Sequence, residues 1–359
     1  MPKQTKTLTI LIFIILVFGL VALSSAGVVE GQKRFDSAHY YLTHQLLYGV
    51  LPGLALFFIF SRVNYKFWRK LSLPLLLGAV CLMVFVFVPS IGLSSRGAQR
   101  WIDFGFFSFQ PSEFLKLTMI IYLAAWFSRE DGRSGSGGRS VVPFFLVLGF
   151  AGILLLAQPD MGTLALVTLI AISMYFFAGA KLKNFLIMIL ALGILLGAVA
   201  VIEPYRLDRL KTFLSPNIDT QGISYHVNQA MLGIGSGGIF GLGFGQSRQK
   251  FNFLPEPVGD SIFAIIVEEV GFVGGVFVIL LFLLLAMTMV KIAKGSSPFG
   301  RLIVMGMSVW ITGQAFVNIM AISGLIPLTG LPLPLVSFGS SSLVSILAGL
   351  GIVANISKH

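Results

Sequence analysis

Residues 253–290 read FLPEPVGDSIFAIIVEEVGFVGGVFVILLFLLLAMTMV, and the change of character within them decides the fold. From residue 261 to residue 290 the chain is predominantly apolar for longer than the roughly 20 residues a helix needs to cross the ~30 Å hydrocarbon core of a bilayer. Upstream, residues 203–260 form a polar stretch between two apolar runs, and it ends at Asp260. A loop this long between spans is usually functional or disordered. This one carries aromatic, glycine and paired charged residues rather than low-complexity filler. Asp260 is therefore expected at a membrane surface, where a carboxylate can act on a lipid-bound substrate.

The composition agrees with that reading. Hydrophobic residues make up 56% of the chain and charged ones 11%, whereas a soluble domain carries about 25% charged residues. Apolar runs occur near 8–27, 43–61, 72–91, 112–128, 141–158, 160–179, 184–202, 261–290, 300–323 and 336–356. The expected fold is all-α: a polytopic integral membrane protein with about ten transmembrane helices, forming a single domain over residues 1–359. The large extracytoplasmic loop, 203–260, lies between spans 7 and 8. With a cytoplasmic N-terminus the inside segments hold Lys3 and Lys6; Arg62, Lys66, Arg69 and Lys70; Arg129, Arg133 and Arg139; Lys181 and Lys183; Lys291, Lys294 and Arg301; and Lys358. The positive-inside rule then places both ends in the cytoplasm. The net charge of +11 is spread over these short loops, so it reads as a topology signal and not as a nucleic-acid footprint.

The first span has a basic start and a small-residue end, ALSSAG at 22–27, which together resemble a signal peptide; retention as a signal anchor is the expectation. The Gly/Ser-rich 131–138 segment reads as a flexible cytoplasmic linker. The single cysteine, Cys81, gives no intrachain disulfide framework, and the four histidines have no zinc spacing. His226 reads as a polar contact, and Ser337 and Ser340 to Ser342 as a polar helix start.

Ionisable residues near membrane depth are the next candidates, because a charge in hydrocarbon costs several kcal/mol unless paired or hydrated. Glu113 and Lys116 fall on one helix face at i,i+3 spacing. They are either a pair facing a polar cavity or an interfacial ion pair that anchors a helix. Asp160, directly after Pro159, is either a functional acid or a helix N-cap. In the loop, Arg206, Arg209 and Lys211 can hold a phosphorylated headgroup through charge-assisted hydrogen bonds, or form a solvated interfacial turn. Arg100 is a further, more peripheral candidate. The glycine-rich GIGSGGIFGLGFG at 233–245 lacks the strand–helix context of a phosphate-binding loop. Close packing, turns and a membrane-dipping segment account for it better.

Four ordered segments carry a family resemblance: GAQRWIDFGFFSFQPSEFLKL at 97–117, AQPDMGTLALV at 157–167, residues 206–272 from RLDRLKTFLSP to AIIVEEVGF, and GLIPLTGLPLPLVSFGSSSL at 324–343. Along nearly its whole length the chain resembles the SEDS family, the group of RodA, FtsW and SpoVE, and its 243–250 segment resembles the FtsW/SpoVE branch. The resemblance implies a bacterial cytoplasmic-membrane enzyme that polymerises lipid II into peptidoglycan glycan strands. It also implies a class B penicillin-binding protein as partner, with other divisome or elongasome proteins around the pair. Where the family commonly reads E-A/R-H-T-D, this chain has Glu256-Pro257-Val258-Gly259-Asp260, so the aspartate stays and the His-Thr pair is lost. Where it reads S-Y-G-G-S-S, Phe338 and Ser340 replace the tyrosine and the second glycine.

That chemistry suits a sparse acid inventory. Glycosidases use two carboxylates because a sugar alkoxide leaving group must be protonated. An undecaprenyl-diphosphate leaving group does not need the second acid. One base, here Asp260, can take the proton of the attacking 4-hydroxyl during an inverting transfer. Cationic groups, or a divalent ion such as Mg2+ or Mn2+, are the candidates to stabilise the departing diphosphate. Donor and acceptor are expected near Glu113, Lys116, Asp160 and the external loop. Two other classes remain: a lipid II flippase, and a noncatalytic scaffold for wall-synthesis enzymes.

Overall fold

The computed structural model describes residues 3–89, 92–95, 98–105, 107–128, 142–180, 224–251 and 253–359, with residues 183, 185–188, 190, 193 and 213 between them. Each expected apolar run outside 184–202 carries a helix, and that run lies largely outside the described residues. The helices are α1 (Lys3–Ala26), α2 (Val28–Phe35), α3 (Tyr40–Phe60), α4 (Lys66–Phe85), α5 (Pro111–Phe127), α6 (Val142–Ala157), α7 (Met161–Phe177), α8 (Tyr225–Ser236), α9 (Ile262–Lys294), α10 (Pro298–Ile322) and α11 (Ser340–Ile356). Of these, α1, α3, α4, α9 and α10 are long and apolar enough to cross a membrane, and α6, α7 and α11 are shorter apolar helices.

The helix ends follow local chemistry. Pro111 and Pro298 sit at the first positions of α5 and α10, where a missing N–H costs nothing. Ser297 caps α10 by accepting from Gly300 N at 3.3 Å. Lys291 and Lys294 complement the C-terminal dipole of α9.

One feature departs from the all-α expectation, and a second lies outside the expected spans. Residues 92–109 form a small antiparallel sheet in the order β1 (Gly92–Ser95), β2 (Ala98–Asp103), β3 (Ser108–Phe109). This segment lies between α4 and α5 and is too polar for a span, so its backbone groups pair with one another. The second feature is α2, a short helix with Glu30 in its first turn and Lys33 and Arg34 in its last.

Hydrogen bonds orient the bundle. Near the start of α1, Thr5 Oγ1 lies 2.8 Å from Ser357 Oγ just after α11, so the described ends of the chain meet at one end of the molecule. At the other end of α1, Ser25 Oγ donates to Glu269 Oε1 at 2.7 Å, close to the start of α9. At 1.5 Å per residue, Thr5 and Ser25 are separated by about 30 Å, one hydrocarbon thickness.

Helix α9 breaks at Gly271, whose φ of 79° and ψ of −172° only glycine adopts readily. Such a break strands backbone groups that would otherwise be bonded within the helix. The glycine-rich segment takes them up: Leu242 N and Gly243 N donate to Glu268 O and Glu269 O, each at 3.0 Å, while Phe272 N donates to Gly238 O at 2.9 Å. The approach is so close that a Cβ on Gly271 would lie 2.3 Å from Ile239 O. Gly271→Ala is therefore expected to destabilise the protein by about 1–3 kcal/mol from backbone strain alone, read as a lowered Tm in detergent. A Tm equal to that of the wild type would refute the tie between break and loop. Ile239, Phe240 and Phe244 are exposed in this segment.

Candidate functional site

Asp260 closes a coiled segment, residues 253–261, immediately before α9. The segment is held mainly through its backbone. Gly259 N donates to Glu256 O at 3.0 Å, Phe338 N to Val258 O at 2.9 Å, and Ser337 Oγ to Gly259 O at 2.6 Å. Asn318 Nδ2 on α10 donates to Asp260 O and to Leu331 O, both at 2.7 Å. The Asp260 side chain is 14% exposed, so it is braced from behind and still reaches solvent. Val258 is buried, and the atoms nearest a Cβ on Gly259 would be the Glu256 side chain, at 3.4 Å, and its carbonyl oxygen, at 3.7 Å. The two substituted positions therefore serve as packed backbone supports.

Ser261 and His226 both approach the Asp260 carboxylate. Ser261 Oγ lies 3.4 Å from Asp260 Oδ1, and His226 Nε2, from the first turn of α8, lies 3.9 Å from the same oxygen. His226, read from the sequence as a polar contact, makes one with Ser261 Oγ at 2.6 Å.

Glu113 and Lys116 form a buried pair, Lys116 Nζ to Glu113 Oε1 at 2.7 Å, with the two side chains 3% and 0% exposed. Lys116 Nζ also donates to Gln314 Oε1 at 3.3 Å and sits 5.0 Å from the centre of the Trp310 ring. Gln314 Nε2 donates to Pro332 O at 2.8 Å. Gln314 and Asn318 are i,i+4 neighbours, and the π-helical turn Val309–Gly313 directly precedes them. A continuous polar path thus runs from Glu113 through Lys116, Gln314 and the 331–337 segment to the Asp260 backbone. Glu113 Oε2 and Asn318 Oδ1 are buried along it with no hydrogen-bond partner among the described residues.

Asp160 caps α7, its Oδ1 accepting from Thr163 N at 3.1 Å. Arg100 on β2 donates to Gln158 O at 3.1 Å and also bonds Pro159 O, which ties the sheet to the α6–α7 turn. The start of α7 abuts the 329–331 segment: a Cβ on Gly162 would lie 2.4 Å from Thr329 O, and one on Gly330 would lie 4.0 Å from Asp260 Oδ2. Asp160 and Asp260 therefore flank one strip of chain. Arg206, Arg209 and Lys211 lie outside the described residues.

Residues that sequence reading passed over complete the surroundings. Lys250 Nζ pairs with Glu269 Oε1 at 2.9 Å and donates to Ser25 Oγ at 3.0 Å. Glu268 accepts from Arg248 N at 2.9 Å and bonds Ser247 Oγ. Adjacent acids inside the apolar 261–290 run were the available signal, since buried charges need partners. A cleft of about 360 Å³ opens between α2, with Glu30, Lys33 and Arg34, and residues 253–257. Among the described residues no three His, Cys, Asp or Glu side chains converge, so these residues do not by themselves make a Mg2+ or Mn2+ site.

Apolar helices, a braced carboxylate at one end and buried ion pairs define a polytopic membrane protein with a polar site near one end of its helices. The chain belongs to the FtsW/RodA/SpoVE cell cycle protein family, whose model matches residues 6–359. It is 38% identical to stage V sporulation protein E of Bacillus subtilis (strain 168), over 98% of this chain and 96% of that one. It is 35% identical to the probable peptidoglycan glycosyltransferase FtsW of Geobacter sulfurreducens, over 95% and 92%. Among solved structures it resembles a chain of a peptidoglycan synthase complex that coordinates polymerization and crosslinking, with TM-score 0.80, 28% identity and coverage of 98% and 96%. It also resembles the rod shape determining protein RodA of Thermus thermophilus, with TM-score 0.72, 27% identity and coverage of 98% and 95%. The higher identities to SpoVE and FtsW accord with the branch expected from residues 243–250.

Proposed function

We propose that this chain is a peptidoglycan glycosyltransferase that polymerises lipid II into glycan strands at the outer face of the bacterial cytoplasmic membrane. The observation that carries the reading is Asp260: a partly exposed carboxylate, braced through its own backbone, at the end of the bundle opposite the meeting of Thr5 and Ser357. Lys3, Lys6, Lys358 and the basic residues beside α4 share the Thr5–Ser357 end or join helices that reach it. This supports ten spans with cytoplasmic termini and residues 203–260 outside.

In this reading Asp260 accepts the proton of the acceptor sugar 4-hydroxyl as its oxygen attacks the donor anomeric carbon. The bond to the diphosphate breaks with inversion, and the charge leaves on undecaprenyl diphosphate, which needs no protein acid. Positioning the carboxylate is the main task of the fold, since alignment of reacting groups alone supplies a large part of such accelerations. Arg206, Arg209 and Lys211 are the proposed diphosphate contacts, with Arg100 and Asp160 positioning the neighbouring turn. Glu113 and Lys116 sit deeper, at the far end of the polar path. A class B penicillin-binding protein is the proposed partner, since the similar peptidoglycan synthase complex couples polymerization to crosslinking.

The test is synthesis from lipid II presented on the outer leaflet of proteoliposomes that contain the purified chain and such a partner. Polymer is the expected product. Headgroup translocation without polymer would overturn the assignment in favour of a flippase, and neither activity would leave a scaffold.

A further inference from the structure

The Ser261 hydroxyl is fully buried, and three polar atoms surround it: His226 Nε2 at 2.6 Å, Pro255 O at 2.8 Å and Asp260 Oδ1 at 3.4 Å. A hydroxyl has one hydrogen to give. Pro255 O can only accept, and so can Asp260 while ionised. Pro255 O is the nearer of the two and takes the hydrogen of Ser261. His226 Nε2 must then carry hydrogen itself and donate into Ser261 Oγ, since two bare acceptors would not approach to 2.6 Å. The same N–H edge lies 3.9 Å from Asp260 Oδ1.

We propose that His226, held in place by Ser261 Oγ, is a positioning residue for Asp260, with its N–H edge facing the carboxylate. The assignment rests on the reading of Asp260 as the base. His226 is brought there from another element, the first turn of α8, and its side chain is 20% exposed. At 3.9 Å the N–H edge is beyond hydrogen-bond reach, and its dipole, fixed beside a partly buried carboxylate, acts through its field: it favours the ionised form and biases the carboxylate towards one orientation. Both effects serve a base that must be unprotonated and aimed when the acceptor hydroxyl arrives. The imidazole takes no part in bond making: the hydroxyl proton passes to Asp260, and the electron pair of the breaking bond leaves with the diphosphate.

The test measures kcat and KM for lipid II polymerisation, with thermal unfolding, on full-length variants in complex with a class B penicillin-binding protein. His226→Ala is expected to lower kcat by about 10- to 100-fold, the scale of a misaligned reacting group, with KM unchanged. Ser261→Ala should do the same. The double variant should be no slower than the slower single one, because both remove one linked contact. His226→Gln, which keeps an N–H donor, should recover most of the rate, whereas His226→Phe, which keeps only a ring, should not. If His226→Ala does not fold, the contrast of Gln with Phe decides the question. Wild-type kcat in His226→Ala, equal rates for Gln and Phe, or additive losses in the double variant would each overturn the assignment. Asp260→Asn is measured alongside. An active Asp260→Asn removes the base itself, while an inactive one beside a fully active His226→Ala removes only the role of His226.

Discussion

Asp260→Asn is expected to leave the protein folded and to reduce strand synthesis by about 10²- to 10⁴-fold, the usual contribution of a positioned base. The expectation of an intact fold is specific to this site. Asn318 donates to the Asp260 main-chain carbonyl, and Ser337 and Phe338 hold the carbonyls of Gly259 and Val258, so these fastenings do not run through the carboxylate. Ser261 Oγ lies 3.4 Å from Asp260 Oδ1, a long contact that an amide can keep. The Tm should therefore stay close to that of the wild type, while polymer from lipid II falls away on gels. Folded Asp260→Asn protein that polymerises at the wild-type rate would eliminate the base.

Lys116→Met is expected to cost about 3–5 kcal/mol of stability, the scale for removing one partner of a buried pair. Lys116 is fully buried and Glu113 nearly so, and Glu113 Oε2 already lacks a partner among the described residues. Without Lys116 the Glu113 charge is uncompensated, and Gln314 Oε1 keeps only the Trp310 Nε1 donor at 3.1 Å. Polymerisation should fall as well, because Gln314 holds the 331–337 segment that supports Asp260. Adding Glu113→Gln removes the stranded charge, and a paired replacement of this kind is often neutral for stability. The double variant then separates the two readings of the pair. Stability and activity returning together indicate a brace; stability returning with synthesis still lost indicates a direct role towards substrate. A Lys116→Met protein as stable as the wild type would contradict the buried pairing.

Much of the helical framework was legible because apolar runs of span length have few alternative uses. The 92–109 sheet was not, since it lacks long alternation and its turn carries no strong hairpin dipeptide. Asp260 stood out by its place between a polar loop and an apolar run, and the family resemblance sharpened that reading. Ser337, expected as part of a polar helix start, instead precedes α11 and bonds Gly259 O. Gln314 and Asn318 could not be found in the same way. Each is an isolated polar residue whose partner is a carbonyl distant in sequence or freed by irregular chain, and such pairings are set by tertiary packing. His226 illustrates the same limit: a polar contact was foreseen, but its partner Ser261 was not. Asp160 and Arg100 were singled out for their charge, and the structure shows Asp160 capping α7 and Arg100 bonding the α6–α7 turn.

The break at Gly271 has a consequence for chain entropy. Backbone bonds join residues 238–243 to residues 268–273, and the Lys250–Glu269 pair adds a second fastening inside them. Together they cinch a noncovalent ring of chain that contains Asp260, much as a crosslink would in a protein richer in cysteine. Closing such a ring removes most of the loop's conformations when the protein folds, not when substrate binds. The base is thus confined before any sugar arrives, and opening the ring should scatter it even with every contact of the Asp260 side chain left unmutated.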